Sequence, residues 1–179
     1  MTEIATTYGQ AMYDLARDEG LAKDLLEELV ALNESLTAES GFIQLLSTPN
    51  IPKEERVRIL DDSFRGKLHP YVLNFLKVLT EKGYMKHFAD CCKMYRQQYN
   101  KDNGIVPVTA YTAVPLSDEL RAKLCAKLST VTGKTIELDC RIDPETLGGV
   151  RLDFDGKQVD GTVRRRLEDI RGLLKNTVL

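Results

Sequence analysis

Apolar residues recur at helical spacing through the first 104 residues of the chain, and β-branched runs are few there. Glycine and proline interrupt this spacing where helices are expected to stop or start: Gly20 and Gly83 suit the position after a last turn, and Pro52 and Pro70 suit a first turn. We predict six helices, at residues 2–18, 22–38, 41–46, 53–65, 70–81 and 84–101. So many helices in so few residues are expected to pack as a short-looped antiparallel bundle.

Near Asn103 and Gly104 the spacing changes from helical to alternating. Ser117 is typical of a helix cap, and the helix it begins is predicted to run to about Val131. Strands are predicted at residues 105–114, 136–142 and 150–154, and a last helix at residues 160–174. The chain is therefore expected to be an α+β protein, with a six-helix bundle at residues 1–104 and a small α/β domain, with a short sheet and two helices, at residues 105–179.

One face of the predicted second strand is apolar, because every second residue from 136 to 142 is apolar. These residues are Ile136, Leu138, Cys140 and Ile142.

The first helix has more apolar surface than a single core requires. At 100° per residue it carries two adjacent apolar rows, which are Ile4, Tyr8, Ala11 and Leu15, and Ala5, Gly9, Met12 and Ala16. The helix that begins at Pro70 is apolar almost all round. The surplus surface indicates a groove for an incoming helix, but burial at the centre of the bundle explains the same pattern and is the commoner reason for it.

Gly9 is an unusual residue for the middle of a helix, where glycine costs about 1 kcal/mol relative to alanine. A close helix contact at this position would explain it. We expect Gly9→Leu to weaken partner binding far more than it unfolds the domain.

The composition is that of a soluble globular protein, with 42% hydrophobic and 29% charged residues. No apolar run approaches the roughly 20 residues that span a bilayer, and no signal-peptide pattern is present, so we expect no direct membrane insertion. The net charge of −2 argues against a nucleic-acid partner. Residues 1–40 carry nine acidic side chains against Arg17 and Lys23, which would steer a basic or amphipathic partner towards them.

Motifs for catalysis, cofactors or metals are incomplete. Residues 132–135 imitate the end of a phosphate-binding loop, but the required earlier glycine and the strand-loop-helix order are missing. His87, Cys91 and Cys92 lie close together on one predicted helix, yet structural zinc requires four ligands. The four cysteines are expected to be reduced. We expect no catalytic site, cofactor or metal.

Near the carboxyl terminus the chain reads as a strand, an acidic-Pro turn, Leu147-Gly148-Gly149, a second strand, a Gly turn and Asp160-Gly161-Thr162 leading into a basic helix. This order of elements resembles the signature of the F-type ATP synthase delta (OSCP) family. Residues 8–16 resemble the family's first helix, and residues 75–83 resemble a third family segment.

The resemblance implies a non-catalytic stator subunit that links the catalytic ring to the peripheral stalk and so supports proton-driven ATP synthesis. The first domain would hold the amino-terminal helix of an α subunit in a groove formed by Tyr8, Ala11, Met12, Leu15, Phe75, Leu76 and Leu79. The second domain, marked by Gly148, Gly149, Asp160 and Gly161, would contact the b subunits of the stalk. One copy per complex is implied, at the cytoplasmic face of a membrane, most simply a bacterial plasma membrane.

Two alternatives remain open from the sequence. The helical half could be an interaction module for some other amphipathic helix, outside ATP synthase. A small redox or metal protein that uses His87, Cys91 and Cys92 is the other.

Overall fold

A computed structural model of the chain describes residues 2–48, 50–154, 157–162 and residue 165. The chain divides into two compact units, Met1–Asn100 and Lys101–Leu179, and each has its own cluster of buried apolar side chains. The first unit is helical and the second contains a sheet, so the protein is α+β, as its sequence predicts.

Helices account for the regular structure described in the first unit. They are α1 (Glu3–Asp18), α2 (Ala22–Ala38), α3 (Ser40–Ser47), α4 (Lys53–Phe64), α5 (Pro70–Lys82) and α6 (Phe88–Asp102). The predicted bounds of the first five agree with these within one residue at each end. The sixth differs, because a one-turn 3-10 helix, Met85–His87, precedes α6 after Gly83 has ended α5 in the left-handed conformation.

The core of the first unit is built around two tyrosines. Tyr13 and Tyr95 are 2% and 1% exposed and their rings meet edge to face with centroids 5.4 Å apart. The Tyr95 hydroxyl donates to the carbonyl of Ala22 at 2.9 Å, so the buried phenol ties α6 to the start of α2. Burial raises the pKa of Tyr95, which keeps this donor protonated.

Gly9 lies in this core, in contact with α6. A Cβ atom at Gly9 would lie 2.7 Å from both the Cys91 carbonyl oxygen and the Met94 Cβ. The close helix contact inferred from the sequence is therefore real, but it is made with a helix of the same unit. This contact contradicts our expectation that Gly9→Leu would weaken partner binding far more than it unfolds the domain, because a leucine here would push α1 and α6 apart.

The second unit is a four-stranded mixed sheet with one covering helix among its described residues. Its elements are β1 (Ile105–Thr112), α7 (Asp118–Thr132), β2 (Thr135–Ile142), β3 (Val150–Phe154) and β4 (Lys157–Asp160). The strand order is β2-β1-β3-β4, with β1 and β2 parallel and the other two pairs antiparallel. The sequence did not predict β4, which has four residues and a single apolar one, Val159.

Alternation along the strands places the core on the face that α7 covers. Val108, Ala110, Ile136, Leu138 and Leu152 are buried there, and Leu124, Cys125 and Leu128 of α7 pack against them. The helix also protects the outer edge of β2, since Arg121 Nη2 donates to the Leu138 carbonyl at 2.8 Å.

The last predicted helix, residues 160–174, lies outside the described residues except for its first positions and Arg165. Asp160 is the last residue of β4 rather than a member of a helix.

Within the ranges that the structure describes, no helix combines the length and the apolar character needed to cross a bilayer.

Candidate interaction surfaces

The two apolar rows of α1 have different environments. Ala5, Gly9, Met12 and Ala16 are buried in the core of the first unit. In the other row, Ile4 and Tyr8 are half-buried, Ala11 is exposed and Leu15 is 41% exposed. We call these last four residues the outer row of α1. It is the side of this helix on which apolar surface remains open to a partner.

Helix α5 is buried on most of its sides. Leu76 and Leu79 have no exposed surface and Phe75 is 9% exposed. Of the seven residues that the family resemblance assigned to the groove, the structure brings Tyr8, Ala11 and Leu15 to the surface. It places the other four, Met12, Phe75, Leu76 and Leu79, in the core, so a partner cannot reach the side chains of Leu76 and Leu79 unless the core repacks.

Aromatic side chains extend the outer row beyond α1. The ring of Tyr8 meets the ring of Tyr84 edge to face, with centroids 5.7 Å apart. The ring centroids of Tyr84 and His87 are in turn 6.4 Å apart. Tyr84 occupies the connection between α5 and the one-turn helix. The outer row therefore continues onto the segment that follows α5. The apolar residues Phe75, Leu76 and Leu79 of α5 itself are buried.

Next to the outer row the charged side chains are mainly acidic. Arg17 is engaged by two carboxylates, with Asp14 at 3.4 Å and Asp18 at 3.3 Å, and Gln10 donates to Asp14 at 3.2 Å. Arg17 is the basic residue of α1, against Glu3, Asp14 and Asp18. This excess of carboxylates favours a partner that carries basic side chains beside its apolar stripe.

The cysteines of α6 are core residues. Cys91 is 1% exposed and burial raises its pKa to about 11, while burial also raises the pKa of Cys92. No cluster of three or more His, Cys, Asp or Glu that could hold a metal occurs among the residues that the structure describes. A redox or metal role for His87, Cys91 and Cys92 has no support in this geometry.

The resemblance of residues 132–135 to a phosphate-binding loop also has no structural counterpart. Thr132 ends α7, and Gly133 follows it in the left-handed conformation that closes helix carboxyl termini. Phosphate sites of this kind use the N–H groups at the start of a helix, and the loop here follows the end of one.

The signature glycines of the second unit meet in space. A Cβ atom at Gly149 would lie 2.6 Å from the Gly161 carbonyl oxygen and 3.0 Å from the Thr162 Cα. The Gly161 N–H donates to the Val150 carbonyl at 3.1 Å. The loop that contains Gly148 and Gly149 therefore packs against the segment that follows β4, and glycine is required because the two backbones touch.

Asp160 and Thr162 organise the turn after β4. The Asp160 carboxylate accepts from the Thr162 N–H at 2.9 Å, and its hydrogen bonds with Thr162 lower the pKa of this carboxyl. The Thr162 hydroxyl accepts from the Arg165 N–H at 3.2 Å, which is the geometry of a helix cap, and Thr162 is 3% exposed. Sequence reasoning missed this role of Thr162, although threonine is a common helix cap.

Comparison with protein families gives a match over almost the whole chain. The model of the family described as ATP synthase delta (OSCP) subunit matches residues 4–174. The chain belongs to this family. Members of it are non-catalytic subunits of ATP synthase, and the chain is accordingly a stator subunit and not itself an enzyme.

Individual relatives agree with this membership. The chain is 30% identical to ATP synthase subunit delta of Alkaliphilus metalliredigens over 98% of both proteins, and 32% identical to that of Lactobacillus delbrueckii subsp. bulgaricus over 96% of both. A chain in the cryo-EM structure of the Toxoplasma gondii mitochondrial ATP synthase hexamer has the same fold. Its TM-score is 0.72 at 19% identity, with 97% of this chain and 98% of that chain covered.

Proposed function

We propose that the first unit binds the amino-terminal helix of an ATP synthase α subunit and that the second unit binds the b subunits of the peripheral stalk. One copy would thus tie the catalytic ring to the stator. The assembly would stand at the cytoplasmic face of a bacterial plasma membrane, in keeping with the bacterial relatives. In this role the protein resists the torque on the ring while protons drive ATP synthesis.

The outer row of α1 is the observation that carries the first half of the proposal. A 41% exposed leucine, an exposed alanine and a half-buried tyrosine form a continuous apolar strip, since Tyr8, Ala11 and Leu15 recur every three or four residues. An amphipathic helix laid along this strip would bury it and place its own basic residues near Asp14 and Asp18.

The proposed groove is therefore smaller than the seven-residue groove that the family resemblance implied. Tyr8, Ala11 and Leu15 would contact the α subunit directly. Phe75, Leu76 and Leu79 would act from the core, where their burial holds α5 in the first unit.

The test is a calorimetric titration of the full chain with a peptide of the α-subunit amino terminus from the same ATP synthase. We expect one-to-one binding, and we expect Leu15→Asp to weaken it at least tenfold. A well-buried large apolar side chain contributes roughly 1.5–3 kcal/mol, and the aspartate would add a desolvated charge to that loss.

Leu45→Asp is the matched control, because Leu45 is 38% exposed but lies on α3. It should bind the peptide as the unmodified chain does. Full affinity in Leu15→Asp would remove the outer row from the proposal, and equal weakening by both variants would point to a general effect of acidic substitution.

A further inference from the structure

Asn103 and Gly104 form the whole connection between α6 and β1. Helix α6 ends at Asp102 and β1 begins at Ile105. Asn103 is exposed and Gly104 is half-buried. Of the asparagines in the chain, Asn103 alone is followed by a glycine. The proposed binding of the two partners makes no use of this pair.

The peptide group between Asn103 and Gly104 lies in open surroundings. A Cβ atom at Gly104 would have nothing within 4 Å apart from the neighbouring residues of the chain. The Gly104 N–H donates to the Lys101 carbonyl at 3.3 Å, which is longer than the usual distance of about 2.9–3.0 Å. The backbone nitrogen of Gly104 is therefore weakly held.

Glycine after asparagine permits a reaction that other residues obstruct. The backbone nitrogen of the second residue can reach the side-chain carbonyl carbon of the asparagine and close a five-membered ring. A Cβ atom on the second residue crowds this approach, whereas glycine has none and rotates more freely than any other residue. Asn103 is the asparagine of this chain at which that approach is least obstructed.

We infer that Asn103 is a modification site, at which the native chain loses the side-chain amide spontaneously in water. The Gly104 nitrogen gives up its proton and attacks Cγ of Asn103, so that a new C–N bond forms. The bond from Cγ to the side-chain nitrogen breaks, and this nitrogen takes up a proton and leaves as ammonia. The product is a succinimide ring that includes both residues.

Water then opens the ring at either of its two carbonyl carbons. One opening gives aspartate with the ordinary main chain, and the other gives isoaspartate, in which the main chain passes through the side-chain carbon. In total one water is consumed and one ammonia is released, and nothing is oxidised or reduced. The reaction needs no partner other than water.

Both products would change the connection between α6 and β1. Gly104 is held at both ends, since its N–H donates to Lys101 and its carbonyl accepts from the Thr135 N–H at 3.1 Å. Isoaspartate adds one carbon to the main chain next to Gly104, which would displace one of these two hydrogen bonds. Aspartate instead adds a negative charge beside Asp102, at the carboxyl end of a helix, where the helix dipole disfavours it.

The first experiment is incubation of the full chain under native conditions at pH 8, followed by peptide mapping with mass spectrometry. Asn50 is the internal control, because it is also exposed in a turn but precedes Ile51, whose branched Cβ stands beside the attacking nitrogen. We expect Asn103 to lose its amide at least tenfold faster than Asn50. A rate at Asn103 no higher than the rate at Asn50 would overturn the inference.

The same incubation in guanidinium chloride shows whether the folded turn permits the reaction. We expect loss of the amide at Asn103 in both conditions. Loss in denaturant alone would mean that the turn protects Asn103, and it would overturn the site in the native protein.

Hydrogen exchange of the Thr135 N–H distinguishes the two products. Asn103→Asp reproduces the aspartate product and should keep the protection of this N–H, whereas the incubated chain, which contains isoaspartate, should lose it several-fold. Asn103→Gln is the matched variant, because its longer side chain cannot close the five-membered ring, and it should stay protected after the same incubation. Equal protection in Asn103→Gln and the incubated chain would overturn the effect on the connection.

Discussion

Gly9 shows how one residue decides the distance between two helices. The Cys91 carbonyl and the Met94 side chain occupy the space that a Cβ would need, so α1 and α6 approach more closely than any larger residue would permit.

Gly9→Ala should lower the free energy of unfolding of the first unit by about 1–3 kcal/mol, because the inserted methyl group overpacks this contact. Gly41 provides the control. It lies in α3 with nothing within 4 Å of its Cβ position, and Gly41→Ala should be neutral or stabilise by up to about 1 kcal/mol. Urea denaturation of both variants measures the difference, and equal stability of Gly9→Ala and the unmodified chain would show that the helices adjust freely.

The cysteines fall into two classes by burial. Cys91 and Cys92 are buried, whereas Cys125 and Cys140 are half-exposed. Since burial raises the pKa of Cys91 from 9.0 to about 11, its thiolate fraction at pH 8 falls about a hundredfold.

A disulfide reagent at pH 8 should therefore modify two thiols of the native chain quickly and the other two only as the first unit opens. All four should react in denaturant, which is the internal control. Rapid modification of Cys91 or Cys92 in the native chain, located by peptide mapping, would contradict the buried assignment.

Among the elements, β4 and the turn after it depend on contacts made outside their own residues. The Asp160 carboxylate accepts a hydrogen bond from the Thr162 N–H, and the hydroxyl of the buried Thr162 accepts one from the Arg165 N–H. The glycine loop before β3 closes over the same turn. The ends of two separate signature motifs thus form one small structure.

Thr162→Val should destabilise the second unit by about 1 kcal/mol, because it removes the capping oxygen and keeps the shape of the side chain. Thr162→Ser retains the hydroxyl and should recover much of that loss. Urea denaturation followed by hydrogen exchange in the second unit provides the measurement, and a Thr162→Val variant of unchanged stability would mean that the cap contributes nothing.

At the scale of the whole molecule, local signals predicted the elements and missed the long-range contacts. Capping residues and apolar spacing suffice to locate α1 and α5, since both are properties of neighbouring residues. Which side of α1 faces α6 depends on residues about 80 positions away, so the sequence could not show that Gly9 contacts a helix of its own unit or that Met12 lies in the core. Strand β4 gave no signal, because with one apolar residue it is specified by its pairing with β3.

The exposed surfaces were still less predictable. The outer row of α1 and its buried neighbour have similar apolar content, and only packing distinguishes them. Ile142 belongs to a regular apolar alternation, and yet it is 58% exposed at the end of β2.

The contact between α1 and α6 also determines how the first unit would respond to tension. The boundary between the units falls near the end of α6, so tension carried by the chain from the second unit reaches the first unit at this helix. The Gly9 contact with α1 and the Tyr95 hydrogen bond to Ala22 both hold α6 in the first unit. Both contacts would have to break before α6 could leave the core.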